Sequence, residues 1–581
     1  MMSGGGASMS ETEVKISSER IDDIPLIVKW LAQIEIAKHI DQKLKKPHGN
    51  HQGMSYGQLS VLLLTYIITQ SDHRLCAVEE WVETHRKILE LTTGWSIGNK
   101  DVSDDRLGRV VEELGKQSLA RQEIEIKLGR QIIRAYELPT KIARTDTTSF
   151  SVNHENTSHL EDNLLRHGYS KDKRPDLLQY RQLLATLDPM GMPLVSATLE
   201  GNGADDPLYF PTWQKIQKVI GHKHFVFIAD CKAGSISTRA NIALNGGFYC
   251  VPLPMSGQNP QLLKQWVKQS STEIIDIRLP QQEEQETAVG KGFEVELGKF
   301  WLNPETNKWV RWHERYLVVY SHKLALEAID SQNKRINQAQ LALEKLANKP
   351  GTELDVLTYK VENILKRHRV TDFFSTTITE QTRTETRHQR RGRPSKNTLQ
   401  QQVTSTRLQL QIEKIDSAIV EAEILAGWRL YVTNAPTEQL TLSESVMYYR
   451  DEWLLERGFH RFKRGSLPAL PIYFQNQNRI TGLMFLLNIA LRVFTLMEFV
   501  VRQALQQAED SLQGLYDGNP KRKTPRPSAE QMLKAFCHLT LYFLPDSTVF
   551  ITPINQLQKQ ILLLMKIPES IYELELKPCK T

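Results

Sequence analysis

The chain has 581 residues, 40% hydrophobic and 24% charged, which excludes wholesale disorder and a collagen-like repeat. At roughly 150 residues per domain, it predicts about four structural units. Lys and Arg number 73 against 67 Asp and Glu, an excess of 73 − 67 = 6, so a polyanion-binding surface must come from local clustering. The five cysteines contain no C-x-x-C pair, which argues against a zinc ribbon or a disulfide framework and fits a reducing cytoplasm.

Residues 1–18 lack the basic-then-apolar order of a signal peptide and read as a flexible tail. From 19 to 138 the apolar residues follow helix spacing, as in Leu26, Ile27, Trp30, Leu31 and Ile34, or Leu59, Leu62, Leu63, Tyr66 and Ile67. Asp101 or Ser103 is expected to cap a helix through Val110, Val111 and Leu114. This is an all-α N-terminal domain, with Trp81 and Trp95 as core residues.

The period changes near Thr140. Residues 142–146 predict a strand entering a polar loop at Asp146. Residues 182–187 and 193–199 predict a hairpin closed by a type I turn at Asp188-Pro189-Met190-Gly191. A helix carrying Trp213, Ile216 and Val219 follows. The apolar run 225–229 then reads as a buried parallel strand ending at Asp230, and Ser235 or Ser237 starts another helix. A further strand covers 248–253. These elements, residues 139–254, form the first part of an α/β unit with a mixed sheet.

Residues 255–425 are an α+β insertion. It holds strands at 293–301 and 309–320, long polar helices at 323–348 and around Asn363, and a basic segment, 383–396. Residues 426–516 return to the core with a strand at 427–432, a helix from Ser443 to about Arg464, and apolar helices after Arg479. The most lipid-like stretch, 482–504, is interrupted by Arg492 and Glu498, so a buried helix is expected rather than a membrane span. Residues 517–581 comprise a Pro/Lys/Arg-rich linker and C-terminal helices.

Two aspartates, Asp146 and Asp230, each close a predicted strand. Adjacent strands of an α/β sheet can bring such carboxylates to one edge, where like charges repel unless a cation lies between them. Merely capping turns is the plainer alternative. On the helix 443–464, Tyr449, Glu456 and Lys463 are spaced by seven and share one stripe. Arg450, Arg457, Arg461 and Arg464 make that helix cationic, as suits a phosphate-receiving site.

The order strand–Asp146, strand–Asp230, long insertion, then Tyr449-Arg450-x-x-Trp453-x-x-Glu456-Arg457-x-Phe459-x-x-x-Lys463 resembles the DDE transposases of bacterial insertion sequences. The resemblance is to the branch with an extended insertion before its Glu. It includes His167-Gly168-Tyr169-Ser170-Lys171-Asp172, Glu200-Gly201-Asn202, Val432-Thr433-Asn434 and Arg479-Ile480. One departure is Glu452, where many relatives carry Arg.

The resemblance implies an RNase H-like mixed-sheet core and a helical, DNA-binding N-terminal domain. It also implies cleavage of insertion-sequence ends and their joining to target DNA. Asp146, Asp230 and Glu456 would be the catalytic residues and ligands of two Mg²⁺ ions, with Mn²⁺ as a substitute. Tyr449, Arg450, Arg457 and Lys463 would contact DNA. The segment Arg390-Arg391-Gly392-Arg393-Pro394-Ser395-Lys396 looks like an AT-hook, with a generic phosphate-binding loop as the alternative, so Arg390, Arg391, Arg393 and Lys396 join the DNA-binding set. Expected partners are double-stranded DNA, as terminal inverted repeats and target, and a second copy of the chain on paired ends. No membrane is expected, and the location is a bacterial cytoplasm at the nucleoid. A metal-dependent nuclease without strand transfer and a catalytically silent DNA-binding descendant are the alternatives.

Overall fold

The computed structural model describes residues 17–45, 53–154, 164–269, 273–278, 288–351, 353–388, 400–544 and 549–573. The chain divides into two compact units. The first comprises the residues up to Val251, Gly298–Trp312 and those from Tyr448 onward; the second comprises Pro252–Leu297 and His313–Met447.

The first unit starts with a short strand, β1 (Ser17–Arg20), which the helical patterning had not indicated. Helices α1 (Ile24–Gln33), α2 (Ile36–Lys43), α3 (Tyr56–Gln70), α4 (Leu75–Thr84), α5 (Arg86–Thr93), α6 (Asp104–Lys116) and α7 (Ser118–Ala135) follow. Their apolar faces are the predicted ones: Leu26, Ile27, Trp30 and Leu31 are at most 1% exposed, and Trp81 is buried. Ser55 and Gln58 close a reciprocal capping box on α3. Ser103 occupies the N-cap of α6 but makes no side-chain cap bond, and Asp101 pairs instead with Arg106.

Next come β2 (Ile142–Val152), β3 (Leu178–Leu187), β4 (Met192–Glu200), α8 (Tyr209–Ile220), β5 (Val226–Ile228), α9 (Ile236–Leu244) and β6 (Phe248–Pro252). Their sheet order is β4-β3-β2-β5-β6, antiparallel across the first three strands and parallel from β2 through β5 to β6. That is the RNase H-like α/β arrangement. The turn between β3 and β4 falls at Asp188–Gly191, where it was expected, with Gly191 at positive φ (69°). Strand β2 is twice as long as predicted, so Asp146 lies in mid-strand and does not open a loop. The residues after it, Thr147 to Val152, four of them β-branched or aromatic, continue the antiparallel pairing with β3.

Next in the chain, α10 (Asn259–Gln269), β7 (Ile275–Ile277), β8 (Gly290–Asn303) and β9 (Lys308–Ser321) precede α11 (His322–Asn348) and α12 (Leu354–His368); the end of β8 from Gly298 and the start of β9 to Trp312 belong to the first unit, and the rest to the second. Strands β10 (Phe374–His388) and β11 (Gln400–Lys414), helix α13 (Asp416–Leu425) and strand β12 (Trp428–Thr433) complete it. Four strands run in the order β12-β9-β8-β7. Strands β10 and β11, absent from the sequence reading, form an unbroken antiparallel ribbon from the Phe374–Lys414 pair to His388–Gln400. Its base is buried: Phe374, Leu408 and Leu410 cluster with Ile336 and Leu343 of α11 and Leu357, Val361 and Leu365 of α12.

The chain continues through α14 (Leu442–Arg450), α15 (Trp453–Lys463) and α16 (Gln477–Gln507). After them come β13 (Leu512–Gln513), β14 (Lys523–Thr524), α17 (Ala529–Lys534), β15 (Thr540–Phe543), β16 (Val549–Ile551) and α18 (Gln556–Leu564). The helices expected after Arg479 are thus one helix of 31 residues. By length and composition α16 could cross a membrane, but 94% of its apolar window is buried inside the protein. Arg492 is 1% exposed and donates to the carbonyls of Pro193 and Leu194 (3.0 and 2.7 Å). Glu498 receives Arg461 (2.5 Å) and Arg502 (3.2 Å). Where α16 crosses α6, Gly482 and Gly115 let the backbones meet, since a Cβ at either would collide with the other helix's main chain. Strand β1 pairs with β15, and β15 with β16, so a small sheet joins the two ends of the described chain.

Candidate active site

The parallel pairing of β2 with β5 ends at Arg144 opposite Ile228. Asp146 and Asp230 each lie two residues beyond that pair, and Asp230 keeps an extended backbone (φ −69°, ψ 178°). Equal offsets along neighbouring parallel strands put both carboxylates at one level of the sheet. Asp230 Oδ1 accepts the Lys232 N–H (3.1 Å) and the Tyr209 hydroxyl, so it caps the turn Cys231–Gly234 while α8 holds it from the side. Asp146 Oδ1 accepts the Thr147 N–H (2.7 Å), and Lys171 Nζ lies 3.7 Å away. Lys171 is anchored on the Thr147 carbonyl.

A third aspartate, Asp205, underpins the pair. It is 6% exposed and accepts from Thr147 Oγ1 (3.0 Å), Arg181 Nη1 (2.5 Å) and Lys232 Nζ (2.8 Å), tying together β2, β3 and the turn after Asp230. Although burial opposes its ionisation, the Lys232 ammonium holds the Asp205 carboxyl below the usual range. Asp146 goes the other way. Burial first, then the charges of Asp230 and Glu452, push it up to about 6 against the pull of Lys171.

The segment bearing Glu456 departs from the expected single helix. Helix α14 stops at Arg450 and α15 starts at Trp453. The cause is visible in Arg144, a buried β2 residue that pairs with Asp188 (2.6 Å) and also donates to the Tyr448 carbonyl. In a continuous helix that carbonyl would accept from the N–H of Glu452. Tyr449 therefore sits on a different helix from Glu456 and Lys463, and the three do not form one helical stripe. The break instead brings Glu452 into the electrostatic surroundings of Asp146 and Asp230. Glu452 is exposed yet partly desolvated by its surroundings, and that desolvation foremost, then Glu456 and Asp230, raises its carboxyl above the ordinary range. Glu456 itself is exposed on the first turn of α15.

The predicted DNA-binding residues divide. Lys463 bonds Asp172 (3.0 Å) and lies over the Phe150 ring, which brings the His167–Asp172 motif to the same region as β2. Arg450 is exposed. Arg457 is paired with Glu498 of α16 and serves the interior. Arg390, Arg391, Arg393 and Lys396 lie outside the described residues. Sequence reasoning missed Glu452, Tyr209, Asp205 and Arg144. Asp205 lies in the polar stretch that follows β4, but nothing in its spacing marks it as the hub of a buried network.

All the candidate ligands are carboxylate oxygens, which suits a hard divalent cation. Among the described residues, no three acidic, His or Cys side chains already stand close enough together to hold one ion. The donor set nevertheless fits one: burial and like-charged neighbours make the ionised form of Asp146 costly, and a divalent cation would offset both effects.

The profile of a family described as "Transposase DDE domain" matches residues 144–493, and one described as a domain of unknown function (DUF4277) matches residues 16–126. None of the curated proteins matches the chain. Among solved structures, the chain is similar to a piggyBac transposase synaptic complex with hairpin DNA. The identity is 9% and the TM-score 0.36, over 95% of this chain and 84% of that one.

Proposed function

The chain belongs to the DDE-domain transposase family, and we propose that it cleaves the ends of an insertion sequence and joins them to target DNA. The observation that supports this most is the placement of Asp146 and Asp230 at one level of adjacent parallel strands, with a buried network beneath them. In this reading Asp146, Asp230 and Glu456 hold two Mg²⁺ ions, and Glu452 adds a fourth carboxylate to the same region. The metals supply Lewis acidity to the scissile phosphodiester and to the oxygens that attack and leave. The protein's own work is placement. Tyr209 and the Lys232 N–H occupy one oxygen of Asp230 and so aim the other. Asp205 fixes Thr147 and Lys232 on either side of the acids, and Lys171 offers a cation beside Asp146 for a phosphate oxygen. The protein partners are duplex DNA and, on paired ends, a second copy of the chain.

The test incubates the purified full chain with paired end DNA in Mg²⁺ and follows nicked and joined products. Asp146→Asn and Asp230→Asn should lower nicking by more than the 10–100-fold typical of outer-shell groups, with DNA binding retained. Near-parental nicking by either variant would reject the assignment. Glu456→Gln and Glu452→Gln, run side by side, decide which carboxylate is indispensable. Nicks without joined products would mark a nuclease instead.

A further inference from the structure

The second unit holds a cleft of about 920 Å³ walled by α11, the C-terminal end of α12 and the C-terminal end of α13. Four cationic or ionisable nitrogen side chains line it: Arg335 from α11, and Arg367, His368 and Arg369 from the end of α12. None of the lining side chains is acidic, and among the described residues none of these four is in an ion pair. Three carboxylates on the same helices pair with lysines and not with these arginines: Asp330 with Lys334 (2.6 Å), Glu362 with Lys366 (2.9 Å) and Glu421 with Lys268 (2.9 Å). Basic residues in a last helical turn can be explained by the carbonyl end of the helix dipole. That explanation does not reach Arg335, which comes from another helix and lines the same space.

A second observation points the same way. Gln332, one turn before Arg335, lines the cleft, is only 7% exposed, and its side-chain NH₂ has no hydrogen-bond partner. A buried amide donor left unpaired is costly unless a ligand or water accepts from it. Cations on two elements and an unused donor in one open cleft are complementary to phosphate oxygens. At about 920 Å³ and open to solvent, the cleft suits a backbone running through better than a single enclosed anion.

We propose that this cleft is a phosphodiester-binding site through which the insertion unit grips duplex DNA with residues other than the candidate catalytic carboxylates. It rests on DNA being the substrate, but not on the identity of the catalytic residues. Binding of the full chain to a labelled end duplex is therefore measured in EDTA, between 50 and 200 mM salt. Each phosphate contact contributes a slope of about −0.9 in log affinity against log salt. Replacing Arg335, Arg367 and Arg369 together by Ala should thus flatten the slope by about 2.7. The parent should then lose about 40-fold more affinity than this variant across that salt range. The three Arg→Lys changes together keep the charge and should retain the parental slope, which separates phosphate contact from misfolding. Inorganic phosphate, at ionic strength matched with chloride, should leave duplex binding unchanged. A parental slope in the Ala variant, or displacement of the duplex by inorganic phosphate, would overturn the proposal. Neither result bears on nicking by Asp146→Asn, so a failure here is distinct from a failure of the active-site reading.

Discussion

Asp146 shows how one side chain can carry a functional demand as a stability cost. Its carboxyl is pushed up to about 6, chiefly by burial, from an ordinary value of 3.8. Ionising it therefore opposes folding. The penalty is absent below about pH 4, grows as pH rises toward 6, and is constant above that. In metal-free protein, Asp146→Asn should be more stable than the parent by up to about 3 kcal/mol above pH 6. The gain should shrink toward pH 4, as read by urea unfolding. Added Mg²⁺ should stabilise the parent and not the variant. A pH-independent difference would show that the effect is packing and not charge. As candidates, the two aspartates and Glu456 were legible from residue type and order. Glu452 was not, because its approach to Asp146 depends on where a helix breaks.

At the scale of elements, that break is made by a strand. Arg144 is 3% exposed on β2, pairs with Asp188 and takes the Tyr448 carbonyl, so α14 and α15 are separate rods. Replacing Arg144 by Met strands the Asp188 charge and should cost about 3–5 kcal/mol. Adding Asp188→Leu should restore most of the stability while nicking remains impaired, because nothing then holds the α14–α15 junction against β2. Thermal unfolding and nicking measured on both variants check this, and parental nicking by the double variant would contradict it. Helical periodicity gave the start and end of the 443–464 segment. The interruption was invisible, since the residue that captures its carbonyl lies about 300 positions earlier in the chain.

For the molecule as a whole, the ends of the described chain meet. The backbone of β1 completes one edge of β15, and Glu19 accepts the Ile88 N–H (2.8 Å). Deleting the chain through Arg20 should leave the β15 edge unpaired, lower the thermal midpoint and promote self-association. Scattering before and after deletion tests this; an unchanged midpoint would mean β1 is dispensable. Long α16, buried against α6 and β4, plays the opposite part. Its apolar length was plain in the sequence, and two charges within it, Arg492 and Glu498, correctly marked it as a core helix.

Local patterns determined most elements, the order of the acidic residues and the α/β class, because helix and strand periods and turn residues act over a few positions. The tertiary structure decided three things that span hundreds of residues. One is the register that levels Asp146 with Asp230. The second is the ribbon β10–β11, whose Thr- and Gln-rich strands satisfy their backbone only by pairing with each other. The third is the set of charges gathered round each carboxylate. Pairing partners and burial come from chain closure and desolvation, and neither is encoded in the period of any single segment.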